Sequence, residues 1–415
     1  MKGKNAMPPT LSRRAAMLGA GALFAWAHAP ARANGRDPRL LVIVLRGALD
    51  GLGMIAPVGD PAWPALRGAQ GLRLNDAPPA LALNDFFALN PAMPTLHRQY
   101  QAGQAVLLHA VATPYRARSH FDGQDVLESG LLRARATDSG WLNRALAALS
   151  PMHAVRPADG RGRAFAVGPI TPLVVRGAAP VLSWAPQRLA QASEDTAARL
   201  LDLYRHTDPA LAQAMELHQT LQAMGGATSA TAGSPGPGNA RTRAYFVEVA
   251  SSAARYLARP DGPRVGALAL DGWDTHANEG AISGRLANLL GALDGALAAI
   301  EANLGAAWNE SVVAVITEFG RTARINGTDG TDHGTGTVAL LAGGAVQGGR
   351  VIADWPGIAE PQLHEGRDLK PTTDLRAMLK GVLRDHLRVA EGALARSVFP
   401  ESATAPTMGG LIREG

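Results

Sequence analysis

The stretch LLVIVLRGALDG, residues 40–51, decides the fold. Its first six residues are an uninterrupted apolar run, partly β-branched, without the alternation of a strand that has one face in water. Such a run is typical of a strand buried on both faces, as in a parallel sheet covered by helices. Gly47 and Asp50 follow directly, so this strand is predicted to end in a polar loop.

The same pattern recurs along the rest of the chain. Further apolar runs that favour buried strands lie at residues 105–111, 265–270, 311–317 and 338–341. Segments with helical character separate or flank them, at residues 94–102, 241–258, 281–304 and 373–387. Alternation of strands and helices predicts an α/β fold, here a doubly wound, mostly parallel sheet with helices on both faces.

Residues 1–33 have the features of a twin-arginine signal peptide. A Ser-Arg-Arg sequence at 12–14 precedes an apolar run at 15–27, which is shorter than the roughly 20 residues that span a bilayer. Ala31-Arg32-Ala33 is a small-residue cleavage signal. We expect the twin-arginine translocase as a partner and a periplasmic or secreted protein. An amphipathic or membrane-spanning N-terminus is the alternative interpretation.

The charge of the chain argues against nucleic acid as a partner. The signal segment holds five basic residues and no acidic ones, which leaves 35 of the 40 bases against 35 acids in the remainder. The basic excess therefore belongs to the export signal, and no basic patch for nucleic acid is predicted. The chain has no cysteine, so it depends on its hydrophobic core. No stable membrane span is predicted after residue 33, and the oligomeric state stays open.

Residues 34–415 are predicted to form one α/β domain. The segment 187–240 is largely helical by pattern and then rich in Ser, Thr, Gly and Pro, so it is a candidate helical insertion followed by a loop.

Polar side chains that could bind a metal cluster just after the predicted strands, where open parallel sheets carry their sites. The candidate metal ligands are Asp50, Asp271, Asp274, His276, Glu318, Asp332 and His333. Carboxylate and imidazole groups together suit a divalent ion such as Zn, Mn, Mg, Ca or Fe. Ser119 is the candidate nucleophile at a helix N-terminus, and Arg321 is the candidate holder of a tetrahedral anion.

Several of these residues have structural alternatives. Asp50 can be a turn residue before Gly51, and one of Asp271 and Asp274 can be an Asx-turn residue. Ser119 can be a plain helix cap, with His120 and Asp122 bracing the same loop. Glu318 can form a structural ion pair with Arg321 or Arg324. His333, between Asp332 and Gly334, is the hardest to explain structurally.

At these segments the sequence resembles an exported bacterial family, domain of unknown function 1501. The matching stretches include LLVIVLRGALDGL (40–52), RSHFDGQDVLESG (118–130), LDGWDTHAN (270–278) and VITEFGRTARINGTDGTDHG (315–334). The family is similar to the alkaline phosphatase and sulfatase superfamily, which implies a doubly wound sheet with a metal site at the strand ends. The resemblance implies metal ligands at Asp50, at Asp271 or Asp274 with His276, and at His333. It also implies a nucleophile at Ser119.

One position departs from the superfamily pattern. Where an Asp-His pair would follow a strand, this chain has Glu318-Phe319, and phenylalanine cannot bind a metal. One of the two usual metal sites is therefore expected to be weak or absent. The resemblance implies an exported metal-dependent hydrolase of small phosphate or sulfate esters. The alternative is a non-catalytic metal-binding or structural protein of the cell envelope that retains the fold.

Overall fold

The computed structural model describes residues 36–149, 164–167, 171–184, 201, 205 and 239–414. The predicted signal peptide at 1–33 and nearly all of the predicted insertion at 187–240 lie outside the described residues. The helices and strands given below are those of the described residues.

Twelve strands and nine α-helices are formed within those ranges. The strands are β1 (Arg39–Arg46), β2 (Ile55–Ala56), β3 (Leu81–Ala82), β4 (Ala88–Leu89), β5 (Ala105–Ala112), β6 (Ala164–Val167), β7 (Val181–Trp184), β8 (Val265–Asp271), β9 (Ser311–Thr317), β10 (Thr337–Ala342), β11 (Arg350–Ile352) and β12 (Thr373–Asp374). The helices are α1 (Gly51–Met54), α2 (Trp63–Arg67), α3 (Pro94–Gln101), α4 (His120–Ser129), α5 (Trp141–Ala148), α6 (Asn239–Ala258), α7 (Arg285–Leu304), α8 (Leu375–Asp385) and α9 (Glu391–Ala393). The buried strands expected from the apolar runs are all present.

One large sheet organises the molecule. In the described residues its order is β11-β5-β10-β9-β1-β8-β6-β7, with β12 also paired to β5. Neighbouring strands are parallel except β10, which runs antiparallel to both β5 and β9. The predicted α/β fold with a mostly parallel sheet is confirmed by this order. β2, β3 and β4 form a small separate sheet.

Strand β1 is buried on both faces, which explains why its sequence lacks alternation of apolar and polar residues. Leu41, Ile43 and Leu45 belong to the hydrophobic core on one face of the sheet. Leu40, Val42 and Val44 belong to the core on the opposite face. Helices α3, α6 and α7 cover the first face, and α4, α5 and α8 cover the second. Both faces are thus dry, as a continuous apolar strand requires.

Helix α7 belongs to the first of these cores. The segment Arg285–Glu310, which contains it, is long and apolar enough to cross a membrane by length and composition alone. Half of its most apolar window is buried inside the molecule, with Leu290 and Leu297 in the core. Its hydrophobic side is therefore used within the fold.

The strand directions bring several chain segments to one edge of the sheet. β1, β5, β8 and β9 all end at that edge, because they run in the same direction. The antiparallel β10 begins there, so the whole loop 318–336 between β9 and β10 stays at the same edge. This loop carries four of the predicted site residues.

Two histidines lie fully inside the fold, away from this edge. The Nε2 of His109 donates to the carbonyl oxygen of Ile55 at 2.9 Å, and its Nδ1 accepts from the backbone N–H of Ala110 at 2.8 Å. The Nε2 of His386 donates to the carbonyl oxygen of Arg39 at 2.9 Å. Burial lowers the pKa of both histidines to about 4.

These two histidines predict a loss of stability in mild acid. The unfolded chain, with a histidine pKa near 6.5, binds protons that the folded protein refuses, so the free energy of unfolding falls as pH drops from about 6.5 to 4. Each histidine contributes up to about 3 kcal/mol of this loss. Urea unfolding at pH 7.5 and 4.5 measures it. His109→Gln should show a smaller acid loss than the unchanged protein, and an unchanged loss would contradict the assignment.

Candidate metal centre

Four side chains from three separate segments meet at the loop edge of the sheet. Asp274 Oδ1 lies 3.5 Å from His120 Nε2, 3.0 Å from His276 Nε2 and 3.4 Å from His333 Nε2. The Nε2 atom of His333 is also 2.8 Å from that of His120 and 3.0 Å from that of His276. His120, Asp274 and His333 are half-buried, and His276 is more exposed.

The outer nitrogen of each imidazole faces an oxygen atom. His120 Nδ1 is 2.9 Å from Glu318 Oε1, and His333 Nδ1 is 2.9 Å from the carbonyl oxygen of Arg118. His276 Nδ1 is 3.4 Å from Asp332 Oδ1. A carbonyl or carboxylate oxygen only accepts hydrogen bonds, so each Nδ1 is placed to donate and each ring turns its Nε2 toward the other side chains of the cluster.

Ring nitrogens that face one another at these distances require a proton or a metal cation between them. A tetrahedral zinc ion with bonds of about 2.0 Å to nitrogen and oxygen separates its ligands by about 3.3 Å. The three distances among His120 Nε2, His333 Nε2 and Asp274 Oδ1, 2.8 to 3.5 Å, bracket this value. The set His120, Asp274 and His333, with an oxygen on the outer nitrogen of each ring, therefore suits a divalent transition metal such as zinc.

Close backbone packing allows the segments to converge. Gly47, directly after β1, has φ +119° and lies so near the Asp274 segment that a Cβ atom would approach the Asp274 nitrogen to 2.5 Å. Gly330 lies equally close to His276, with the His276 carbonyl 2.3 Å from the place of a Cβ atom. Any side chain at these two positions would push the ligand segments apart.

Arg321 holds Asp274 in place. Its side chain is fully buried and its Nη1 donates to Asp274 Oδ1 at 2.6 Å. Its Nε donates to Thr331 Oγ1 at 3.1 Å, and its Nη2 donates to the Thr331 carbonyl. Burial alone would raise the pKa of Asp274, but the Arg321 contact outweighs it and the pKa is lowered. A buried guanidinium with these partners suits positioning a ligand better than the expected contact with a substrate anion.

Glu318 braces His120 from behind. It is completely buried, and its Oε1 accepts from His120, from the Gly47 backbone N–H at 2.8 Å and from Gln124 at 3.2 Å. Burial would raise its pKa, yet these hydrogen bonds lower it. The hydrogen bond to Glu318 raises the pKa of His120. Glu318 was expected to bind the metal directly, and the structure places it behind His120, where it accepts a hydrogen bond from the ring.

His333 has the opposite electrostatic character to His120. Its pKa is lowered, first by burial and then by the charge of His120 beside it. A ring that resists protonation keeps its Nε2 lone pair available to a metal near neutral pH.

Asp50 lies outside the cluster, which differs from the expectation of a metal ligand. Both of its oxygens receive the Arg67 guanidinium, at 2.7 and 2.9 Å, and the two side chains are 1 to 2% exposed. The remaining Arg67 donors bind the carbonyl oxygens of Thr322 and Ala323. A fixed guanidinium thus occupies the side of Asp50 where a metal would bind.

A buried glutamate lies between the Asp50 pair and the ligand cluster. Glu279 accepts hydrogen bonds from the hydroxyls of Thr275 and Thr331, each at 2.8 Å. Burial, followed by the negative charge of Asp50, raises its pKa to about 7. Through Thr331 it is joined to Arg321 and hence to Asp274. Glu279 lies in a loop without a recognisable motif, so its sequence position gives no signal of this role.

The remaining predicted residues lie at the margin. Asp271 is exposed at the end of β8, and no cluster contact involves it among the described residues. Asp332 is the exposed acceptor for His276. Ser119 has the N-cap position of α4, but its side chain makes no capping hydrogen bond, so the plain-cap alternative does not describe it. His120 was not among the predicted metal ligands, although its place directly after Ser119, in the segment that follows β5, was a usable signal.

A family model for proteins of unknown function, DUF1501, matches residues 37–399. The chain belongs to this family. No curated protein is significantly similar to it in sequence.

Solved structures resemble the chain only distantly. They include a phosphonate monoester hydrolase of Agrobacterium radiobacter, with 13% identity, a TM-score of 0.32 and coverage of 85% of this chain and 74% of the other. The zinc complex of the C-terminal periplasmic domain of EcEptC from Escherichia coli has 13% identity, a TM-score of 0.31 and coverage of 75% and 74%. A protein in the alkaline phosphatase superfamily from Vibrio parahaemolyticus has 12% identity, a TM-score of 0.34 and coverage of 77% and 62%.

Likenesses at this level carry no argument about activity. The fold class rests on the strand order described above.

The geometry predicts how the site responds to the loss of one ligand and of one brace. His333→Ala should abolish stoichiometric binding of Zn²⁺ or Co²⁺, and Glu318→Gln should weaken it by about 10- to 100-fold, as loss of an outer partner does. Elemental analysis and metal titration of the purified protein measure both effects. His97→Ala, on helix α3, is the matched control. Full metal binding by His333→Ala would contradict the proposed centre.

Proposed function

We propose that the protein is a metal-dependent hydrolase of small phosphate or sulfate esters that uses one metal ion. The observation that carries the proposal is the convergence of His120, Asp274 and His333, with outer partners that aim the ring nitrogens inward. Catalytic centres hold their metal with three protein ligands and keep one position open. The bound ion would supply Lewis-acid polarisation of a phosphoryl or sulfuryl oxygen.

Ser119 is the proposed nucleophile. It immediately precedes the ligand His120, and its hydroxyl does not cap the helix that it begins. The N-terminus of this ten-residue helix offers backbone N–H groups and a partial positive charge, which favour an anionic ester nearby. These features support attack by the Ser119 hydroxyl on the phosphorus or sulfur atom, with the alcohol as leaving group.

His276 decides between two forms of the centre. Its Nε2 is 3.0 Å from both Asp274 Oδ1 and His333 Nε2, but its side chain is 46% exposed. If it is a permanent fourth ligand, the centre is closed in the manner of structural zinc sites. If it stays free, the open position faces solvent, and His276 is available to exchange a proton with the leaving group.

The alternative function is metal binding without turnover. Phe319 stacks on His120 with ring centroids 5.0 Å apart, and Arg67 engages Asp50, so neither position supports a second metal ion. A closed four-ligand centre would then serve a structural or binding role in the cell envelope.

The nucleophile proposal is tested with chromogenic phosphate and sulfate esters. Ser119→Ala should lower kcat by about 10³-fold or more, because removal of a covalent nucleophile has effects of this size or larger. Its metal content should equal that of the unchanged protein, since Ser119 is not among the four converging groups. Normal turnover by Ser119→Ala would remove Ser119 from the mechanism, and metal without turnover in the unchanged protein would favour the alternative function.

Export through the twin-arginine translocase remains part of the proposal and rests on residues 1–33. Replacing Arg13 and Arg14 together by lysine should retain the protein in the cytoplasm, because the paired arginines are the feature that the route requires. Fractionation of cells measures it, with Arg32→Lys, outside the pair, as the control. Export of the double variant would contradict the route.

A further inference from the structure

Asp368 is a completely buried carboxylate that lies between two arginines. Its Oδ2 accepts from Arg118 Nε at 3.0 Å and from Arg118 Nη2 at 2.8 Å. Its Oδ1 accepts from Arg367 Nε at 2.9 Å. Asp368 itself is 0% exposed and is not one of the converging ligand groups. Burying a charged carboxylate costs solvation free energy, and the two arginines offset this cost.

Both arginines contact the same proposed ligand, His333. The backbone carbonyl of Arg118 accepts from His333 Nδ1 at 2.9 Å. The Arg367 Nη2 donates to the backbone carbonyl of His333. The carboxylate of Asp368 therefore pairs with two arginines that each contact His333, one at its ring and one at its main chain.

The backbone of Arg118 is held in an unfavourable conformation. Its φ is +59°, in the left-handed region that residues with a Cβ atom rarely adopt. The same residue directly precedes Ser119 and His120, the first residue of α4. Its conformation therefore sets the direction of the carbonyl toward His333 and the starting point of the helix that carries His120.

We propose that Asp368 is a positioning residue of the metal centre, which acts on His333 through Arg118 and Arg367. Its ion pair with Arg118 stabilises the left-handed backbone that aims the carbonyl at His333 Nδ1. That hydrogen bond fixes the protonated nitrogen and the ring orientation, as outer partners of metal-binding histidines do. This inference rests on the proposed metal centre and extends it to the loop at residues 364–369.

The first test measures Co²⁺ binding to the full chain. Asp368→Asn should bind Co²⁺ about 10- to 100-fold more weakly than the unchanged protein, the range found when outer partners are removed. The visible spectrum of the bound Co²⁺ should also change, since it reports ligand geometry. Glu365→Gln is the matched control, because Glu365 pairs with the same Arg118 Nη2 but is 60% exposed. Its affinity should stay within about twofold, as exposed ion pairs contribute little.

A second pair of variants separates backbone positioning from simple loss of folding. Arg118→Ala and Arg118→Gly both remove the guanidinium, but only alanine keeps the cost of a positive φ. Arg118→Ala should weaken Co²⁺ binding about tenfold, and Arg118→Gly should stay within about threefold. This comparison tests the role of the Arg118 backbone even where Asp368→Asn does not fold.

The outcomes are distinct from those of the hydrolase proposal. Equal Co²⁺ affinity in Asp368→Asn and the unchanged protein would overturn the role of Asp368. Equal losses in Arg118→Ala and Arg118→Gly would overturn the role of the strained backbone. Absence of ester hydrolysis in a protein that binds Co²⁺ normally would count against the hydrolase alone, because turnover does not enter these measurements.

Discussion

The imidazoles of His120, His276 and His333 turn their Nε2 atoms toward one another beside the ionised carboxylate of Asp274, an arrangement that a positive charge at its centre would stabilise. The surrounding structure is organised to maintain it. Glu318, the Arg118 carbonyl and Asp332 each face the Nδ1 atom of one ring as a hydrogen-bond acceptor. Arg321 donates to the carboxylate of Asp274 and holds it in place. In the proposed centre, these preformed partners would leave a metal ion with ligands already oriented and little side-chain entropy to lose on binding.

The antiparallel strand β10 is what makes this arrangement possible. A parallel strand after β9 would need a crossover to the opposite edge of the sheet before it could begin. Because β10 begins where β9 ends, the connecting loop stays at the site. Within this loop Glu318 accepts from His120, Arg321 holds Asp274, and His333 is a proposed ligand. The sheet departs from uniform strand direction at the place where the chemistry is concentrated.

Much of the fold could be predicted from the sequence, because continuous apolar runs such as 40–45 and 311–317 have few alternatives in a large domain. The general position of the cluster followed from the same runs, and the structure brings the predicted residues Asp274, His276 and His333 together there. The difference between the inward-facing groups and their hydrogen-bond partners did not follow. Glu318 was predicted as a ligand and His120 was not, yet Glu318 is buried behind the His120 ring. Asp50 was misread because its partner, Arg67, lies on a separate short helix that no motif connects to it.

The pair between Asp50 and Arg67 also joins distant parts of the chain. Arg67 binds a carboxylate after β1 and two carbonyl groups of the loop after Arg321, all inside the protein. Unlike a bound ion, a guanidinium cannot be extracted by a chelator or diluted away. The frame around the proposed centre is therefore held together by groups of the protein itself.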